Sequence, residues 1–107
     1  MAVVRFVFAA LKPGVSGADY ERFEREVDYI VASKLKTIVS YCTHRITETG
    51  SGLSGGPWDY IERIEVTDRA AYQAELAVVG KEMLEELYEK YLDRSKTVSV
   101  WSKRIEP

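Results

Sequence analysis

The sequence predicts an α+β domain of β-α-β-β-α-β order: one four-stranded antiparallel sheet with two helices on one face. Three observations carry this. Segments of β-branched or two-residue periodicity alternate with two segments of helical periodicity. A Gly- and Ser-rich stretch joins the second and third strands as a hairpin, and right-handed crossovers then give the split βαβ, ferredoxin-like sheet. Several strands also carry apolar residues on both faces, which a sheet covered on one side does not require.

Each element has a local cause. Residues 3–11 are apolar, β-branched at the start and interrupted by Arg5, as in a strand buried on both faces. Lys12-Pro13-Gly14 is a turn. Ser16 precedes Asp19 at capping-box spacing and opens a helix that runs to about Leu35. Its stripe is Tyr20, Phe23, Val27, Ile30 and Val31, with Glu21, Arg22, Glu24, Arg25 and Glu26 on the solvated side. Residues 37–47 form the second strand, and residues 49–57, with little to bury, a mobile hairpin loop or lid. Residues 58–66 are the third strand. Thr67-Asp68 cap a second helix with the stripe Tyr72, Leu76, Val79, Met83, Leu87 and Tyr91. Gly80 inside that helix predicts a kink or break. Residues 97–105 are the last strand, and residues 1–107 read as a single domain without linkers.

Composition narrows the function. A net charge of −2 provides no basic field, so neither nucleic acid nor a membrane surface is an expected partner. No apolar run approaches the roughly 20 residues of a membrane span. The apolar start, 1–11, lacks a basic leader and reads as a strand rather than a signal peptide. Cys42 is the only cysteine and His44 the only histidine, which excludes an internal disulfide and a multi-histidine metal site. A cytoplasmic protein is the expectation.

The two-faced strands set Phe6 and Phe8 against Val7 and Leu11, and Ile61 against Ile64. A monomer would expose one of these sets, so a homodimer with facing sheets is expected, closing a barrel and leaving a small pocket under each pair of helices.

With these elements placed, the whole chain resembles the dimeric α+β barrel superfamily. LKPGVSGADYERF (11–23) is similar to the opening of stress-responsive barrel proteins. VDYIVASKL (27–35) and PWDYIERIEV (57–66) resemble the RedY/HapK-like proteins, small dimeric barrels encoded in bacterial pathways for prodiginines and bisindole alkaloids. The resemblance implies a cofactor-independent pocket for a small aromatic molecule. Two departures stand out. Several members place a histidine where this chain has Arg5, and the Asn-Trp-His set of the oxygen-using members cannot be assembled, because the sequence contains no Asn.

Alternation puts Tyr60, Glu62 and Ile64 on the helix side, and the resemblance puts Arg5 there too. Arg5 and Glu62 can pair in the pocket, fixing a polar substrate group or tuning the carboxyl; the alternative is a structural ion pair. Tyr60 offers a phenol donor or is a core Tyr with a satisfied hydroxyl. His44, on one face with Ser40 and Cys42, is a candidate general base or a surface or interface His. Asp28 and Tyr29 can rim the pocket, or be a solvated Asp beside a core Tyr. Trp58 and Trp101 can stack on an aromatic ligand, or be loop anchor and interface or core. Tyr88 and Tyr91 belong to the helix stripe and can supply pocket wall. The reading is a cofactor-free enzyme of bacterial secondary metabolism, steering proton transfer, hydration or cyclisation of an indole- or pyrrole-type intermediate. The alternatives are a module that binds or shields an unstable intermediate and, third, a cofactor-free monooxygenase.

Overall fold

The computed structural model describes residues 3–107; Met1 and Ala2, part of the apolar start, lie outside the described residues. The elements are β1 (Val3–Ala9), α1 (Gly17–Phe23), a π-helical turn (Glu24–Asp28), α2 (Tyr29–Lys34), β2 (Ile38–Arg45), β3 (Tyr60–Val66), α3 (Arg69–Val79), α4 (Lys81–Glu86), a second π-helical turn (Leu87–Tyr91) and β4 (Val98–Ser102). The sheet order is β2-β3-β1-β4, with every neighbouring pair antiparallel. This is the expected split βαβ sheet, with the helices on one face.

The helix starts follow from their caps. Ser16 Oγ accepts from the Asp19 amide at 3.1 Å, and Asp68 Oδ2 accepts from the Ala71 amide at 2.8 Å. The second helix does break at Gly80, whose ψ of 4° departs from helical values. Val79, expected in the buried stripe, is 43% exposed beside this break.

The first helix departs from its predicted face. Glu24, expected in solvent, is 3% exposed, whereas Ile30, expected in the stripe, is 50% exposed. Glu24 follows buried Tyr20 by four residues and so shares its face on the ordinary helical period; the π turn is the cause of the shift at Ile30. Each residue of an i→i+5 turn advances less far round the axis than the ~100° of an α-helix, so residues beyond it fall behind the α-helical phase. Asp28 is thereby turned inward and Ile30 outward, and Tyr20, Glu24 and Asp28 line up at four-residue intervals on the buried face.

Register decides which strand residues reach the helices. Val7 opposes Glu62 and Ser99, and Arg5 opposes Ile64 and Trp101. Alternation then puts Tyr41, Thr43, Tyr60, Glu62, Ile64, Ser99 and Trp101 on the helix face with Arg5 and Val7. The buried residues form two clusters, one around Ala9, Tyr20, Phe23, Tyr60, Leu87 and Leu92 and another around Val7, Leu35, Ile64, Val66 and Tyr72. Glu62 stands between them, flanked on its own strand face by Tyr60 and Ile64. The other sheet face is open and carries Phe6, Phe8, Val98 and Val100, with Phe8 packed on Trp58 at 5.1 Å. Among the described residues, no helix is long and apolar enough to cross a membrane.

The caps generate a direct expectation. Ser16→Ala and Asp68→Ala should each lower stability by about 1 kcal/mol, read from urea unfolding; unchanged midpoints in both would show that the caps do not hold the helix starts.

Candidate functional site

The site begins with a carboxylate that the β3 alternation forces indoors. Glu62 is 5% exposed, and so is Asp28, turned toward it by the π turn. Glu24 completes the group: one oxygen from each of Glu24, Asp28 and Glu62 lies within 4.8 Å of the others. Two phenols knit them together. The Tyr20 hydroxyl bonds Glu24 and also lies 3.0 Å from Glu62 Oε2. Tyr41 donates to Asp28 Oδ2 at 2.7 Å and sits 3.3 Å from Glu24 Oε2. A phenol has one proton, so Tyr20 can satisfy two carboxyls only by donating to one and accepting from the other, which must itself be protonated. Among the described residues, no buried side-chain nitrogen or oxygen lacks a partner.

Burial sets the protonation. It is the largest cause raising Glu24 far above the carboxylate range, followed by its hydrogen bond to Asp28 and the charge of Glu62. Glu62 is raised from 4.5 to about 7, first by burial and then by the Asp28 charge, against the opposing pull of the Tyr20 hydrogen bond and Arg5. Burial and the Glu62 charge push the Tyr20 and Tyr41 phenols well above 10, so both stay protonated donors. The three oxygens are close enough for a hard cation to bridge. In this arrangement they are instead engaged with the phenols and with one another.

Glu62 and Asp28 border a cavity of about 30 Å³, closed further by Arg5, Tyr72 and Tyr88. That space is water-sized rather than ligand-sized. Arg5, Tyr72, Leu76 and Leu84 also line a second, more open groove of about 320 Å³ at the β4 edge, with Ser99 and Trp101 on its far side. Arg5 stands at the partition. Its Nε donates to Ser99 Oγ at 2.8 Å and its Nη1 to Tyr72 Oη at 3.1 Å.

The expected constellation is only partly assembled. Arg5, Asp28, Glu62 and Tyr88 border the cavity, and Trp101 borders the outer groove. The expected Arg5–Glu62 pair does not form, because Arg5 sits diagonally from Glu62 in the register and turns toward β4 and α3. Tyr60 does not enter the cavity; it donates to Glu21 Oε2 at 2.6 Å, beside Arg45, whose two nitrogens bind the Glu21 carboxylate at 2.8 and 2.6 Å. The Arg45 and Tyr60 hydrogen bonds hold Glu21 down at about 2. His44 is on the open sheet face, 3.5 Å from Cys42 Sγ, because alternation from Tyr41 and Thr43 points it away from the helices. It has no access to the carboxyl cluster. Trp58 is also away from the cavity, packed on Phe8 and donating to the Lys96 carbonyl at 2.9 Å. Tyr29 accepts from the Thr43 amide at 2.8 Å, and Tyr91 packs at a tilt against Phe23 at 4.8 Å; neither borders the inner cavity. The residues that sequence reasoning missed are Glu24, Tyr20 as a ligand to it, and Tyr41. The four-residue spacing Tyr20-Glu24-Asp28 was the available signal.

Comparison with known proteins gives a consistent picture. A family model described as REDY-like protein HapK matches residues 3–105. The crystal structure of HapK from Hahella chejuensis superposes with a TM-score of 0.75 at 20% identity, covering 100% of this chain and 95% of that one. A dabb family protein with a ferredoxin-like fold from Mesorhizobium loti gives a TM-score of 0.71 at 13% identity, over 98% of each chain. A protein from Jannaschia sp. described as dimeric, ferredoxin-like and of unknown function gives 0.76 at 14% identity, over 97% of this chain and 100% of that one. At these identities the likeness is one of fold. No curated protein matches the chain.

The buried cluster makes stability depend on pH in a definite direction. Folded Glu62 keeps its proton to about pH 7, whereas the unfolded chain releases it near 4.5. Its contribution is therefore fully present below pH 4.5 and is lost as the pH rises through 7. Glu62→Gln cannot ionise, so its Tm relative to the unaltered protein should rise between pH 4.5 and 7; a flat or falling difference contradicts the assignment.

Proposed function

Since the chain belongs to the HapK family of REDY-like proteins, matched over residues 3–105, we propose that it is a cofactor-independent enzyme of bacterial secondary metabolism. It steers proton transfer, hydration or cyclisation of an indole- or pyrrole-type intermediate, and it works as a homodimer. One observation carries this: a carboxyl held near neutrality, Glu62, faces a cavity that Arg5 closes from the other side. A group with a pKa near the working pH can both take and give a proton, which is what general acid–base catalysis needs.

In this mechanism Glu62 exchanges a proton with the ligand or with a water in the inner cavity. Tyr20 sits behind Glu62 and hands on the hydrogen bond to Glu24, which borders an outer cleft with Glu21 and Arg45. Arg5 holds a polar group of the ligand at the partition, fixing its orientation relative to Glu62. The dimer covers the open sheet face, where Phe6, Phe8 and Val100 otherwise meet water; solved relatives of this fold are described as dimeric.

The second reading is a module that binds and shields an unstable intermediate. The narrowness of the inner cavity, about 30 Å³, favours it, because a ligand-sized body does not fit beside Glu62 and is held in the outer groove instead. Kinetic assays on indole- and pyrrole-type substrates separate the two. Glu62→Gln and Arg5→Ala should each lower kcat/KM by about 10² or more while the dimer survives in gel filtration. Full activity in both variants removes the enzyme assignment. Ligand protection without turnover by the unaltered protein establishes the shielding role instead.

A further inference from the structure

The outer groove carries an imbalance of charge that says which polar group Arg5 is suited to hold. Arg5 is half-buried at its floor, yet it hydrogen-bonds two neutral hydroxyls, Ser99 and Tyr72. Among the described residues, no carboxylate lies within 4.0 Å of Arg5, and none within that distance of Arg69. Arg69 rests over the Trp101 ring at 5.0 Å, and Tyr72 meets the same ring edge-on at 5.8 Å. Most of the Arg5 guanidinium's N–H donors thus remain without an acceptor, in a groove walled by aromatic rings.

From this we infer that the groove between β4 and α3 is the binding site of a planar aromatic carboxylate, with the carboxylate on Arg5 and the ring lying in the groove against the wall that Trp101 and Tyr72 form together. The inference rests on the catalytic reading of Glu62 only for what happens next. The groove, at about 320 Å³, falls within the size range of small-molecule sites. A guanidinium presents its donors as a planar fork that a carboxylate meets with two parallel hydrogen bonds. Arg5 is only half-buried, and its remaining donors face the groove, where a ligand anion supplies the charged partner that the chain does not. The far side of the partition sets the orientation. Asp28 and Glu62 disfavour negative charge beyond the partition, so the carboxylate stops at Arg5 and the ring lies outward in the groove. The inner cavity, sized for water, lies directly beyond the bound carboxylate.

Binding can be measured without turnover, so its failure is distinguishable from failure of the enzyme assignment. Three probes of one ring system suffice: indoleacetate, its neutral methyl analogue skatole, and the cationic tryptamine. Each is titrated into the isotopically labelled protein, with the indole N–H signal of Trp101 as the reporter. Indoleacetate should bind about tenfold more tightly than either other probe, a difference of about 1.4 kcal/mol, and should move the Trp101 signal. In Arg5→Gln that preference should vanish while skatole binds as before, and Arg5→Lys should restore part of it. Equal affinity for the three probes, no saturable binding of indoleacetate, or an unchanged preference in Arg5→Gln each overturns the inference. The comparison of probes on the unaltered protein stands even where a variant fails to fold.

Discussion

The structure turns on keeping three carboxyl groups out of water. An ionised carboxylate moved into a protein interior loses several kcal/mol of solvation even after relaxation, and here Glu24, Asp28 and Glu62 are all at most 5% exposed. They coexist because they do not all carry charge. Burial holds a proton on Glu24, and the Tyr20 and Tyr41 hydroxyls spread their donors over what charge remains. The π turn at Glu24–Asp28 is the backbone feature that makes the arrangement possible, since it turns Asp28 toward the strand face of Glu62. The core is divided as a consequence. Two apolar clusters lie on either side of Glu62, and the cavity runs along the divide.

Charge is then sorted along one direction. Acidic groups and phenols occupy the α1 side of the cavity, and Arg5 occupies the β4 side, tied to Ser99 and Tyr72 rather than to a carboxylate. An Arg5–Glu62 ion pair would have cancelled this separation. Register prevents it: Val7, not Arg5, lies opposite Glu62. The proposed chemistry and the proposed ligand both depend on that polarity, the first on a carboxyl near neutrality and the second on an unpaired guanidinium.

Much of the fold was legible because its signals are local. The Ser16 and Asp68 caps, the break at Gly80 and the β3 alternation all follow from residue types at short spacing. Family membership was also readable, from the stretches 27–35 and 57–66 with the element order. The site was legible by half. Glu62 and Arg5 are reachable by alternation; Glu24 follows buried Tyr20 by four residues on the ordinary helical period, but its charge argues for solvent, and only the inward turn of Asp28 and the outward turn of Ile30 need the π turn. His44 is a candidate base by its chemistry alone. Following the alternation from Tyr41 and Thr43, which face the helices, would have put it on the open face with Cys42.

The central claim is that Glu62 shares a buried proton network and so titrates near neutrality. The carbon-13 shift of its side-chain carboxyl, followed against pH in selectively labelled protein, tests this most directly. A midpoint near 7 that moves in Tyr20→Phe is the predicted result. A midpoint near the ordinary 4.5, unmoved by that substitution, would contradict the account.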